Sequence, residues 1–284
     1  MSIHRRVAAA RDRLREAGIS HAESDLDARL LAQHVLGWTT ERFLSDGQSG
    51  EPDGFAHHYD SLVARRATRE PLAYIVGTRE FWGLDFDVSP AVLIPRPSTE
   101  LIVEAVLDLF PDRWTPLRIA DVCTGCGCVA VALAHERPAA SIVATDISYE
   151  ALAVARRNAA QHRVADRIIW RHTDLLDGVE GFFDAIVANP PYVVDDARPA
   201  LQPEVRDHEP ALALFGGADG LDLVARLVAA APDRLRAGGV LIFEFGLGQD
   251  VDIENLIDSS AELQLVDVRR DLEGIARTAV ARRV

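Results

Sequence analysis

The chain has 284 residues, of which 48% are hydrophobic and 26% charged, enough apolar material for a packed core and too much for a disordered chain. A formal net charge of −14 argues against broad, sequence-independent nucleic-acid binding, which needs a basic face toward the phosphates. No apolar run approaches the roughly 20 residues that span a bilayer. The Arg-rich start carries Asp12 and Glu16 and lacks the apolar block of a signal peptide, so a cytoplasmic protein with no membrane partner is expected.

The first 80 residues are near charge balance, with 11 Arg against 12 acids, and the acidic excess lies in the remainder. Residues 3–70 read as helices. Val7, Leu14, Leu26, Leu30, Leu31, Val35 and Leu36 recur at helical spacing, and Gly18, Gly37 and Gly47 punctuate them. Phe55 to Arg69 continues the pattern after the loop Gly50 to Gly54. A helical domain over 1–70 is expected, of four or five short helices. Tyr74 to Gly77 and Phe81 to Val88 read as the strands of a hairpin, which makes 71–96 a linker.

From 97 to 284 strands and helices alternate. Strands are expected at Leu117–Val122, Ser141–Ala144, Arg167–Trp170, Phe183–Ala188, Gly239–Phe245, Leu263–Val268 and Arg277–Ala281. Helices are expected at Thr99–Phe110, Val129–Glu136, Tyr149–Gln161 and Leu221–Leu235. This order implies an α/β domain, a mainly parallel sheet covered on both faces, with an antiparallel finish at one edge. Asn189 to Gly220 is long and aperiodic, and such loops are often functional.

Three segments carry chemistry. The first is Cys123-Thr124-Gly125-Cys126-Gly127-Cys128, between a strand and a helix, where small residues let the backbone approach a ligand beside free helix N–H groups. It could be an empty tight turn, a dinucleotide loop of the form Gly125-x-Gly127-x-x-Ala130, or a three-thiol metal or redox site. A structural zinc site normally needs four ligands, and the chain holds no fourth Cys. The second is Asp146, about 20 residues on, the spacing at which an acid meets a ribose. It supports an adenosine-containing cofactor without separating NAD from S-adenosylmethionine, and its bland alternative is a helix N-cap, which Ser148 supplies equally well.

The third segment decides. A strand runs directly into Asn189-Pro190-Pro191-Tyr192, and the prolines hold this loop rigid. The Asn189 side-chain oxygen and the Pro190 carbonyl could then accept the two hydrogens of a planar –NH2 group, with Tyr192 against its flat face. Such a nitrogen is a poor nucleophile, and holding both N–H bonds orients it toward an incoming methyl.

With the glycine loop, this tetrapeptide marks methyltransferases that act on a planar nitrogen. The chain resembles, more narrowly, the release-factor glutamine N(5)-methyltransferase family (PrmC/HemK). The resemblance runs through Glu70 to Gly77, Arg79 to Leu84, Val88-Ser89-Pro90, Leu93 to Pro97, Asn189 to Tyr192, Glu209-Pro210, Gly216-Gly217, Asp219-Gly220 and Arg270 to Gly274. It implies a class I, Rossmann-like catalytic domain behind a helical domain that helps dock a peptide chain release factor. It implies methyl transfer from S-adenosylmethionine to the glutamine of a Gly-Gly-Gln motif. Cofactor contacts carry over onto Cys123, Thr124, Gly125, Cys126, Gly127, Asp146, Asp174, Leu175 and Asn189; substrate contacts fall on Asn189, Pro190, Pro191 and Tyr192; no metal is implied. Cys123 stands where the family usually has Gly, which removes the freedom to take positive φ and adds bulk beside the cofactor. The rivals are an adenine N(6)-methyltransferase, whose target is also a planar amine, an NAD-dependent oxidoreductase, and a binding protein without catalysis.

Overall fold

The computed structural model describes all 284 residues. They fall into two compact units, Met1–Thr78 with Gln202–His208, and Arg79–Leu201 with Glu209–Val284.

The first unit holds α1 (Ile3–Glu16), α2 (His21–Leu36), α3 (Thr40–Asp46), α4 (Phe55–Ala67) and α5 (Leu72–Val76). Their apolar faces share one core around Ile3, Leu14, Leu31, Phe55, Tyr59 and Val63. Ser20 and Thr39 cap α2 and α3 through their hydroxyls, and Gly37, in the left-handed region, ends α2. Helix α5 corrects the expected strand at Tyr74–Gly77. Its aromatic and β-branched residues suit a strand, but Gly77 takes φ 85 and donates its N–H to the Ala73 carbonyl, closing a helical turn after Pro71.

The hairpin proper is β1 (Thr78–Phe81) and β2 (Leu84–Asp87). Its two-residue turn, Trp82-Gly83, lies inside what reads as one strand. Both residues have positive φ, 55° and 70°, the geometry of a type I′ turn.

The second unit continues with α6 (Glu100–Leu109), β3 (Arg118–Val122), α7 (Cys128–Glu136), β4 (Ser141–Asp146), α8 (Tyr149–Gln161), β5 (Ile168–His172) and β6 (Phe183–Ala188). After a long segment that includes α9 (Pro203–His208) come α10 (Asp222–Ala230), β7 (Leu235–Glu244), α11 (Asp250–Asp258), β8 (Leu263–Arg270) and β9 (Ala276–Arg283). Seven strands form one sheet in the order β5-β4-β3-β6-β7-β9-β8. The first five run parallel, and β9 pairs antiparallel with β7 and β8. The expected helix Leu221–Leu235 stops at Ala230, because Pro232 cannot donate to a further turn, and Leu235 already belongs to β7.

Strand order reverses between β3 and β6. Val122 pairs with both Thr145 and Ala188, so the carboxyl ends of β3, β4 and β6 are neighbours. In open parallel sheets this is where ligands bind.

The hairpin is tied to this framework by Asn158 of α8. Its side chain is fully buried. It accepts from the Asp87 N–H at 2.8 Å and donates to the Asp87 carbonyl at 3.1 Å and the Cys126 carbonyl at 2.8 Å. Asn158→Ala leaves these backbone groups unpaired and should cost about 2–3 kcal/mol of stability. Urea unfolding checks it, and an unchanged midpoint would contradict the role.

Candidate active site

A cavity of about 240 Å³ opens at the strand-order reversal. The loops after β3, β4, β5 and β6 line it with Cys123, Thr124, Gly125, Cys126, Asp146, Asp174, Leu175, Asn189 and Pro191. The segments before α6 and after β6 add apolar wall at Leu93, Pro95, Leu212 and Phe215. Of the residues singled out from the sequence, Gly127, Pro190 and Tyr192 stand outside the lining.

The glycine loop is held by backbone and carboxylate. Thr124 donates its N–H to the Thr145 carbonyl at 3.0 Å, and Gly125 donates its N–H to Asp146 Oδ2 at 2.9 Å. Cys123 takes φ 58. A Cys here was expected to resist positive φ, yet the bonds on either side impose it, and the side chain bears the cost of the left-handed region. Leu175 sits in the same region at φ 46. Gly127 is the residue before α7, at φ 81, and a Cβ there would lie 3.0 Å from that of Ala155, so its smallness lets the loop approach α8.

Asp146 is not the cap of α8. Ser148 caps it, accepting from the Ala151 N–H at 3.1 Å, while Asp146 Oδ1 accepts from the Ser148 N–H at 2.8 Å. Its two oxygens thus join the loops after β3 and β4, and burial raises its pKa against those donors. Asp174 pairs with Arg226 at 2.7 Å. The three thiols are free: Cys123 is half-buried, and Cys126 and Cys128 are buried. The hydrogen bond that the Cys128 thiol donates to Cys126, with burial, raises the Cys128 pKa. Nowhere do three His, Cys, Asp or Glu side chains converge in a way that could hold a metal ion.

Asn189 leaves the end of β6 with its side-chain nitrogen donating to Thr99 Oγ1 at 3.0 Å. Thr99 donates in turn to Glu244 Oε2 at 2.7 Å. Ser98 and the Tyr192 hydroxyl donate to Glu244 Oε1 at 3.1 and 2.9 Å. Burial pushes the Tyr192 phenol up, and the neighbouring Glu244 adds to the effect. The phenol is therefore tied to Glu244, and Pro191 rather than Tyr192 walls the cavity. Gln249 steadies the same loop by donating to the Tyr192 and Asp219 carbonyls. Glu209, also buried, pairs with Arg96 and accepts from the Ile94 N–H at 3.2 Å, joining the two apolar walls.

Asp121, Thr99, Glu209 and Glu244 carry no site role in the sequence reading, though Glu209 falls in a stretch that bears the resemblance. Asp121 and Glu244 carried a usable signal: each is an acid next to a run of apolar residues near the carboxyl end of a strand, and fully buried acids are rare unless partnered.

Fold and cavity define a class I methyltransferase. Residues 7–77 match the family model for the PrmC N-terminal domain, and residues 98–205 match the methyltransferase small domain. The release factor glutamine methyltransferase of Bradyrhizobium diazoefficiens is 42% identical over 282 residues, covering 99% of this chain and 94% of that protein. That of Cereibacter sphaeroides is 42% identical, covering 96% of each. Among solved structures, a methyltransferase from Pyrococcus furiosus has the same fold, with a TM-score of 0.54 and 18% identity over 77% of this chain and 98% of that one. The catalytic domain of hMettl16 gives 0.58 and 18% over 78% and 81%. The chain belongs to the release factor glutamine methyltransferase family. Because the small-domain match spans the glycine loop, Asp146 and Asn189 to Tyr192, the dinucleotide reading of Gly125-x-Gly127-x-x-Ala130 finds no support.

Asp121 makes this site pH-sensitive. Burial lifts its pKa from the ordinary 3.8 to about 7, opposed by the Thr124 hydroxyl and the Ala130 N–H, with Asp146 adding repulsion. Between those values the folded protein keeps a proton that the unfolded chain releases. Asp121 therefore contributes stability below about pH 4 that is lost as pH rises through about 7. Asp121→Asn should flatten that fall, by a few kcal/mol at most. Unfolding free energies across this range check it, and an unaltered slope would contradict it.

Proposed function

We infer that this protein transfers a methyl group from S-adenosylmethionine to the side-chain amide nitrogen of a glutamine, that of the Gly-Gly-Gln motif in a peptide chain release factor. The observation that carries this reading is the placement of Asn189 in the wall of the same cavity as Asp146, at the point where strand order reverses. A chain alike over its whole length to release factor glutamine methyltransferases supports it.

The residues present suit the cofactor. A Cβ on Gly125 would meet nothing within 4 Å, so open space lies against the loop backbone. Asp146 offers carboxylate lone pairs for two ribose hydroxyls, and Leu175 and Ile147 offer apolar surface for a purine. Thr124, Cys126 and Asp174 complete the polar and small-residue lining. When bound, S-adenosylmethionine supplies a methyl on a positively charged sulfur. Asn189 Oδ1 and the Pro190 carbonyl accept the two hydrogens of the target amide. They turn its lone pair toward the donor and favour its rehybridisation. No side chain need act as base, because the methylated amide is acidic enough to lose its proton to water.

The helical domain, residues 1–70, is assigned to docking the release factor, with 71–96 leading into the catalytic domain, 97–284. Neither membrane nor nucleic acid is assigned as a partner. No helix is long and apolar enough to cross a membrane, and the acidic excess disfavours contact with phosphates. A cytoplasmic location accords with a release-factor substrate.

Mass spectrometry of a purified release factor after incubation with this protein and S-adenosylmethionine should show one added methyl on the Gly-Gly-Gln glutamine. A methyl on adenine in a nucleic-acid control instead would replace this reading with its rival. Asp146→Ala should weaken cofactor binding by about 1–3 kcal/mol, measured by calorimetry, as loss of hydrogen bonds to a charged group would. Equal affinity in the folded variant would reduce Asp146 to a loop brace. Asn189→Ala should lower single-turnover methylation on the order of a hundredfold while sparing cofactor affinity. Near-normal turnover would defeat the amide clamp.

A further inference from the structure

The hydrogen bonds behind Asn189 have a direction that chemistry dictates. A carboxylate has no hydrogen to give and only accepts. Glu244 Oε2 therefore takes the single hydroxyl hydrogen of Thr99, at 2.7 Å. With that hydrogen committed, Thr99 Oγ1 can only accept from Asn189, at 3.0 Å. The –NH2 end of the Asn189 amide is thereby turned to Thr99, and its oxygen is the end left for the cavity. Glu244 Oε1 is engaged by Ser98 and Tyr192, so the carboxylate is held from both sides. Phe243 of β7 pairs with Ala188 of β6, which puts Glu244 abreast of Asn189 by strand register.

We propose that Glu244 is a positioning residue for methyl transfer, which acts through Thr99 to set the Asn189 amide with its oxygen, not its nitrogen, toward the target. This rests on the assignment of Asn189 as acceptor for the substrate amide. The reversed amide would place N–H groups against the N–H groups of the substrate, two donors facing each other. A turn-shaping role for Asn189 would have no need of this directionality. Full burial of a carboxylate is costly unless it is well supplied with donors, and three hydroxyls are supplied here. Burial raises the Glu244 pKa, while Thr99, Tyr192, Ser98 and Arg277 favour the ionised form.

Glu244→Gln keeps the shape and replaces one acceptor by a donor. The introduced amide loses least by keeping its oxygen toward Ser98 and Tyr192, which puts its –NH2 on Thr99. The Thr99 hydrogen must then turn to Asn189, whose amide reverses. Turnover at saturating release factor and S-adenosylmethionine should fall about a hundredfold, with calorimetric affinity for S-adenosylmethionine within about twofold of wild type. Thr99→Val removes the relay and should lower turnover similarly. The double variant should be no slower than the worse single one, since both act through one path.

A second readout needs no substrate. The Asn189 side-chain amide resonance, identified by its loss in Asn189→Asp, should shift in Glu244→Gln and in Thr99→Val. Should Glu244→Gln fail to fold, Thr99→Val and that resonance decide alone. Wild-type turnover in Glu244→Gln, multiplicative losses in the double variant, or an unmoved resonance would each overturn the inference. A wild-type protein that methylates no release factor would refute the proposed function instead, and the resonance would still test the relay.

Discussion

The parallel pairing of β3 with β6 is the constraint on which this site depends. It sets Val122 beside Ala188, so two loops far apart in sequence, Cys123 to Gly127 and Asn189 to Tyr192, emerge side by side. From that point the parallel strands lead away in opposite directions, β3 to β4 to β5 on one side and β6 to β7 on the other. A ligand can therefore enter between the loops without displacing a helix. The cavity is a consequence of strand order, and the residues in its wall add selectivity to a space the topology has already opened.

Buried acids organise the rim of that space. Asp121, Asp146 and Glu244 stand near the carboxyl ends of three parallel strands, β3, β4 and β7, and each answers its desolvation with N–H or O–H donors from adjoining segments. These bonds connect elements that backbone pairing leaves apart. Asp121 links the loop after β3 to α7, Asp146 links the loops after β3 and β4, and Glu244 links the start of α6 to the loop after β6. The same burial that makes the acids costly makes their donors directional, because no water competes to reorient them. Backbone strain at Cys123 and Leu175 is kept in the same rim, where the surrounding bonds over-determine the conformation.

The first unit uses a buried charge in a different way. Arg66 of α4 pairs with Asp27 of α2 at 2.7 Å and with Glu204 at 2.9 Å, and Arg69 meets Glu204 at 2.7 Å. Glu204 comes from α9, more than a hundred residues later in the chain. The long aperiodic stretch after β6 is thus no loose loop. Its middle, Gln202–His208, belongs to the helical unit, and its ends, bridged at Val193 and Phe215, belong to the catalytic one.

Much of this protein is decided by local chemistry and so is legible in its sequence. The alternation of apolar strands with amphipathic helices specifies the sheet and its layers. The glycine loop, Asp146 and Asn189-Pro190-Pro191 announce themselves because small residues, prolines and an acid after a strand have few other uses. Local patterns misled where a turn competed with propensity. Tyr74 to Val76 has the residues of a strand but lies between Pro71 and a left-handed Gly77, and Trp82-Gly83 folds an apparent single strand into a hairpin. What only the tertiary structure decided is the partnership of Thr99, Asn189, Tyr192 and Glu244. Those residues come from three separate stretches, and a side chain's hydrogen-bond direction depends on its partners in space. No spacing along the chain encodes that Thr99 must accept from Asn189; it follows from a carboxylate that strand register places beside it.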